Sequence, residues 1–415
     1  MQVKTSIWNF KSIKKLEFSL GDLTILIGPP STGKSNILEA LEVAGYLSKV
    51  LIEKNLGEYS DIANQVGALN QYVRGAACRD LMNKSQAEAE ARITLGNTSV
   101  TVSCTDNPYR VNLAYMTGGS LVGRVETMLI REGEYSLLLP GIEDDALQFL
   151  SSLLHGILSL KSRTDIVRVA EENPENMPRD RLLVPRLYGF DRMRAIENIS
   201  HGRTGSYHPV SYMEEKAVNL GRLLYVREDI LDYINEDLEE LARVRVTPLS
   251  DGKLAFFDGD KEVGPASISD TVLRVLYGYT ALLSNRPSDK DLKGVDLPVN
   301  PIVMLEEPES HMYPAAFHNF VDIVGESIVN NTLVIVTTHS GRLAQLLWDR
   351  IVSNEGKDIL VYYVNRENGV ETVLYEVNMR EIVRRLDDLE DILRQPPDII
   401  DDLVQDGILR KIAPR

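Results

Sequence analysis

The chain has 415 residues, 43% of them hydrophobic and 26% charged, which is ordinary globular usage, argues against wholesale disorder and leaves room for two or three domains. Its 45 basic and 61 acidic residues give a net charge of −16, so the surface as a whole cannot coat nucleic acid or an anionic membrane, and any such contact is local. Cys78 and Cys104 are too few for a disulfide framework and lack zinc-ligand spacing. No run reads as a signal peptide or a bilayer span, so a cytoplasmic protein with no membrane partner is expected.

In chain order, residues 3–10, 16–20 and 23–27 alternate and then turn apolar, as strands separated by Lys-rich and Gly-Asp turns do. From Gly33 the period changes. Leu38, Leu41 and 44–47 fall at helical spacing, with Glu39 and Glu42 on another face. Residues 91–103, 109–115 and 134–139 again alternate as strands. Between 144 and 245 the character is helical, with one apolar face through Ala146, Leu150, Leu153, Leu154, Ile157 and Leu158 and another through Ile230, Leu231, Ile234, Leu238 and Leu241. The stretch 163–211, rich in Arg, Pro and Gly, reads as an inserted subdomain or lid. Strands resume at 244–248 and 254–258, a helix follows over 270–283, and 301–305 and 333–336 are short apolar runs of the kind buried parallel strands show. Strands are expected again at 359–364 and 371–377.

Gly28-Pro29-Pro30-Ser31-Thr32-Gly33-Lys34-Ser35 matches G-x-x-x-x-G-K-[ST] between an apolar strand and an amphipathic helix. Glycines permit a tight loop whose backbone N–H groups wrap phosphate, and the helix turns its positive end to the same point. Lys34 is expected to reach the β- and γ-phosphates of ATP and Ser35 to ligate Mg²⁺; with Asn36 these residues make up the candidate cradle. Far along the chain, the run 302–305 ends in Glu306 and Glu307. An acid there is placed to hold Mg²⁺ (Glu306), and the next to polarise an attacking water (Glu307). A second apolar run ends in Thr337-Thr338-His339-Ser340, which makes His339 a candidate γ-phosphate contact.

Together, Gly28 to Ser35, Leu305 to Pro308 and Thr337 to Ser340 resemble the ABC-type ATPase heads of the OLD, RecF and SMC group, often described as AAA-type ATP-binding proteins. Asn9-Phe10-Lys11-Ser12-Ile13 is similar to the segment that opens those heads, and the run from Glu306 through Pro314 to their extended acidic motif. Ser267-Ile268-Ser269-Asp270-Thr271-Val272-Leu273-Arg274 resembles their signature segment at a helix N-terminus. The resemblance implies Glu307 as catalytic base, His339 as switch histidine, and Ser269 as a contact to the γ-phosphate of a nucleotide held by a second subunit. Two departures stand out: Glu306 occupies a position where Asp is usual, and the signature lacks a glycine pair. Full OLD nucleases continue into a Toprim nuclease domain, and only 76 residues follow His339 here, so no such domain is expected.

The expected fold is therefore α/β, a mixed sheet around the phosphate loop with a helical insertion. Its divisions are an ATPase lobe over 1–143, the insertion over 144–245, a second lobe over 246–378 and a helical tail over 379–415. The expected function is a Mg²⁺-dependent ATPase working as a nucleotide-gated head-to-tail homodimer in DNA maintenance, repair or defence. The alternative is a slowly hydrolysing ATP switch that scaffolds a partner nuclease or DNA. Two features concern partners. Arg181, Arg186, Arg192, Arg194 and Arg203, interleaved with Tyr188, Phe190 and His201, either track a phosphate backbone or pair with the chain's own acids. Ile382, Leu386, Leu389 and Leu393 make one apolar stripe that either packs on its own head or meets a partner. The glutamine with which such heads sense nucleotide is open between Gln65 and Gln71.

Overall fold

A computed structural model describes residues 2–54, 82–84, 90–96, 98–104, 109–117, 120–129, 135–138, 182–201, 213, 219–285, 299–352, 356–385 and 400–412. The expected helix over 146–158, both candidate glutamines, Cys78, Arg181, Arg203, and Leu386, Leu389 and Leu393 lie outside these residues.

Strands β1 (Val3–Phe10) and β2 (Ile13–Leu20) form a hairpin whose tight connection uses the left-handed conformation at Lys11, with Asn9 also left-handed (φ 49° and 54°). β1 then pairs with β4 (Glu90–Leu95), and an all-antiparallel sheet continues through β5 (Thr98–Cys104), β6 (Tyr109–Thr117), β7 (Ser120–Leu129) and β8 (Tyr135–Leu138) in the order β2-β1-β4-β5-β6-β7-β8. The single alternating run expected at 91–103 is thus two strands, parted where Gly96 takes φ 56°.

The second seven-stranded sheet is drawn from both ends of the chain. Its order is β17-β16-β15-β3-β14-β13-β9, with β3 (Leu23–Ile27), β9 (Leu182–Gly189), β13 (Val299–Glu306), β14 (Leu333–Thr338), β15 (Ile359–Glu367), β16 (Glu371–Val377) and β17 (Leu409–Lys411). The five strands from β15 to β9 run parallel; β16 and β17 turn back antiparallel. β9 corrects the expectation of a purely helical insertion over 144–245. It is an edge strand of the central sheet, where a proline such as Pro185 is tolerated because one side of the strand needs no ladder partner. The tail beyond 379 likewise holds a strand, β17, beside its helices α8 (Met379–Arg385) and α9 (Ile400–Gln405).

Alternation along these strands sets up two cores. Leu23, Ile25, Ile27, Val303, Leu305, Val334 and Val336 face one side; Leu26, Ile302, Met304, Leu333 and Ile335 face the other. The first side is covered by α2 (Arg192–His201), α3 (Leu220–Val226), α4 (Glu228–Ala242), α5 (Asp270–Ser284), α6 (Ala316–Val329) and α7 (Gly341–Val352), beside a small meander of β10 (Val244–Pro248), β11 (Leu254–Asp258) and β12 (Lys261–Val263). The second is covered by α1 (Lys34–Lys54) and the antiparallel sheet. Among the described residues no helix is long and apolar enough to cross a membrane.

Candidate functional site: a phosphate cradle facing three acids

Parallel strands put their C-terminal ends at one edge of the sheet, and β3, β13 and β14 deliver Gly28, Glu306 and His339 to that edge together. There a cavity of about 500 Å³ is lined by Pro30, Ser31, Thr32, Gly33, Lys34, Ser35 and Asn36 from the loop and first turn of α1, by Glu306 and Glu307 after β13, and by His339 after β14. The candidate residues of the motifs therefore share one site, although 273 positions separate Lys34 from Glu307. Ser269 does not line it. It is exposed at the N-cap of α5, where its hydroxyl accepts a hydrogen bond from the Val272 N–H at 3.4 Å.

The loop is shaped from beneath. Thr372 Oγ1 on β16 donates to the Thr32 carbonyl (3.0 Å) and shares a 2.6 Å hydrogen bond with Ser12 Oγ, which also accepts from Asn36 Nδ2 (2.6 Å). A Cβ at Gly33 would fall 2.1 Å from Thr372 Oγ1, so only glycine lets the loop settle here, and its φ of 106° adds the same requirement. Asn36 thus faces the cavity's rim while bracing the loop. Glu39, buried one turn further on, forms an ion pair with Lys11, and buried Glu42 accepts the Leu187 N–H at 2.8 Å, tying α1 to the hairpin and to β9. The opening segment 9–13 is therefore a brace for the cradle.

Lys34 is 4% exposed, and its Nζ donates to the carbonyls of Gly28 (2.8 Å) and Pro29 (2.9 Å). Burial pushes its pKa down from 10.5 to about 8, against the opposing fields of Glu307, Glu309 and Glu306. His339 binds both sides of the cavity. Its Nδ1 donates to the Gly28 carbonyl at 2.8 Å, and its Nε2 lies 2.7 Å from Glu307 Oε1. With Nδ1 protonated, the 3.3 Å approach of Lys34 Nζ to the same nitrogen is proximity between donors and not a hydrogen bond. Glu307 takes the left-handed conformation (φ 44°), anchored by its N–H to the Thr337 carbonyl at 3.0 Å; strain of this kind is held only where the surroundings enforce it.

Three groups with no role in the motif reading also meet here. Glu309 is largely buried, and its Oε1 accepts from the Thr338 hydroxyl and from the His339 N–H (3.0 Å), while its Oε2 is buried without a partner. Burial pushes its carboxyl pKa up. Arg274, on α5, and Arg366, on β15, line the cavity beside Phe190. Arg274 closes the signature segment and Glu309 lies inside the acidic run, though neither had been given a role; Arg366 had no signal beyond the fold itself.

The basic stretch resolves differently. Arg186 is buried against Asn285, Arg192 pairs with Asp270, and Arg194 lies 3.9 Å from Asp191. Tyr188 is buried, its hydroxyl donating to the Met213 carbonyl at 2.7 Å. The described members of this stretch thus engage groups of their own chain. Among the described residues no cluster of three His, Cys, Asp or Glu side chains is spaced to hold a metal. Ser35 and Glu306 are among the oxygen donors that line the cavity, which suits a cation that keeps most of its waters and takes phosphate oxygens, as Mg²⁺ does.

Residues 149–343 match the family model described as "AAA domain, putative AbiEii toxin, Type IV TA system", a span that includes β9, α5, the acidic strand and His339. No curated protein matches the chain. Among solved structures, the chain is similar to an Smc head bound to the C-winged helix domain of ScpA, with a TM-score of 0.44 at 14% identity over 91% of this chain and 98% of that one. It is also similar to the SMC head domain from Thermotoga maritima, with a TM-score of 0.38 at 12% identity over 91% of this chain and all of that one. An Smc head domain with an extended coiled coil, bound to the C-terminal domain of ScpA derived from Pyrococcus furiosus, gives 0.39 at 13% identity over 94% and 98%.

Proposed function

We propose that this chain, a P-loop ATPase head of the ABC/AAA type, binds ATP with Mg²⁺ and hydrolyses it as a nucleotide-gated head-to-tail dimer. One observation carries the reading. Lys34, at the root of the loop, opens onto the same cavity as Glu306 and Glu307, with His339 linking Glu307 to the loop carbonyl of Gly28. The loop N–H groups and Lys34 hold the phosphates, and the Lys34 amine exchanges the Gly28 and Pro29 carbonyls for phosphate oxygens. Ser35 and Glu306 would hold Mg²⁺, which when bound neutralises phosphate charge. Glu307 orients the attacking water and takes its proton as the bond from the γ-phosphorus to the bridging oxygen breaks. His339 keeps the Glu307 carboxylate on that side of the cavity.

Dimer gating rests on Ser269, which stands exposed at a helix N-cap and apart from its own chain's cavity, free to meet a second copy's nucleotide. In the sequence-based scheme this head works on DNA, directly or beside a nuclease. The slow-switch alternative is supported by the longer side chain of Glu306, which constrains an octahedral metal less well than Asp. Light scattering on Glu307→Gln is the test: ATP should double its mass, and Lys34→Ala should bind no nucleotide and stay unchanged. A Glu307→Gln protein of constant mass with ATP rejects gating. Phosphate release by wild type no faster than by Glu307→Gln, with and without duplex DNA, rejects the enzyme in favour of the switch.

A further inference from the structure

Two carboxylates, Glu306 and Glu307, line the cavity, and Lys34 of the phosphate loop opposes them. Arg274 and Arg366 add two cations to the wall, so the chamber suits a polyanion. The two arginines stand at different ends. Arg366 lies on β15 and pairs in register with Thr372, the residue that props Thr32 and Gly33, so it belongs to the loop side. Arg274 belongs to the Glu307 side: its Nη1 donates to the Glu307 carbonyl at 3.3 Å.

Arg274 is held rather than loose. Its guanidinium carbon lies 4.4 Å from the centre of the Phe190 ring, and Phe190 is fixed in turn by an edge-on contact with Tyr277 at 5.6 Å, one turn along the same helix. Its Nε is buried without a hydrogen-bond acceptor, and among the described residues no carboxylate forms an ion pair with it. A half-buried guanidinium remains charged, and this one lines the cavity within the field of Glu309 and Glu307, where its outer N–H groups are placed to meet an anion.

We propose that Arg274 reads the terminal phosphate of the nucleotide bound in its own chain, making the cavity select triphosphate over diphosphate. The inference deepens the reading of this cavity as an ATP site and rests on it. The loop and Arg366 bind what ATP and ADP share and Lys34 spans the β- and γ-phosphates; Arg274, beside Glu307, adds a contact only to the group that ATP alone carries. Because Ser269 caps α5, the helix that senses the terminal phosphate also presents the residue offered to a second copy.

Equilibrium binding of ADP and of a non-hydrolysable β,γ-imido analogue of ATP, both with Mg²⁺, tests this in wild type, Arg274→Ala, Arg274→Lys and Arg366→Ala. Arg274→Ala should weaken the triphosphate at least about tenfold, the loss of one charge-assisted hydrogen bond, and leave ADP within about twofold. Arg274→Lys should keep part of the preference, and Arg366→Ala should weaken both ligands alike. Equal losses for the two nucleotides in Arg274→Ala, or no loss of triphosphate, overturn the proposal. If the alanine variant does not fold, Arg274→Lys decides on the same criterion, since its shorter reach must still lower the ratio of the two affinities. Wild type that binds neither nucleotide would overturn the ATP-site reading itself.

Discussion

Lys34 is a lysine whose charge the fold opposes until phosphate arrives. Its depressed pKa of about 8 means that the ligand-free protein begins to lose this proton as pH rises through that value, while a bound polyanion favours the charged form. ATP binding is therefore expected to take up a proton between about pH 8 and 9, and affinity should fall by up to about tenfold per pH unit there. Calorimetry in buffers of different ionisation enthalpy measures the uptake; Lys34→Arg, always charged, should abolish it. Glu309 shows the opposite sign. Its carboxyl pKa is raised by burial, so the folded state binds more protons than the unfolded one above the ordinary carboxylate range, and stability drops as pH rises through that window. Glu309→Gln keeps an oxygen for the His339 N–H and the Thr338 hydroxyl and removes the buried carboxylate with its unpartnered Oε2. Its melting temperature should exceed that of wild type by about 1–3 °C at pH 8, with the gain fading toward pH 5.

At the scale of elements, the phosphate loop is a product of β16 as much as of its own sequence. The Thr372 hydroxyl is its strut. Thr372→Val removes the bonds to Thr32 and Ser12 and should cost about 1–2 kcal/mol in urea unfolding, with weaker ATP binding; Thr372→Ser should restore most of both. This division explains what was legible beforehand. Central strands such as 23–27 and 333–336 were readable because their runs are almost wholly apolar, and the loop because glycine, lysine and serine fall at fixed spacing, whereas β7 was not read at all. Thr372 and Arg366 were not legible, since each acts beside residues hundreds of positions away, and Glu309, though inside the acidic run, acts through burial that no local pattern reports. Strand β9 was missed for a different reason: its arginine and proline obscure the apolar signal, and they are compatible with a strand only because it sits at an edge.

For the whole molecule, β3 is the point where the two cores meet. Ile25 faces the helices and Leu26 faces α1 and the antiparallel sheet, and both are fully buried. Ile25→Ala and Leu26→Ala should each cost about 2–5 kcal/mol, and each should lower a single common urea transition, because the strand belongs to both sides at once. Two separate transitions would mean that the cores unfold independently.

The placement of β3 also bears on biosynthesis. Residues 23–27 are translated some three hundred residues before the strands that flank them, 333–338 and 359–363. The nascent chain thus carries a largely apolar segment without its flanking strands until those are made, and ligand cannot assist its early collapse because the cradle has not been assembled. Truncated products ending before 333 would have neither flank and are expected to be clients for chaperones and proteases.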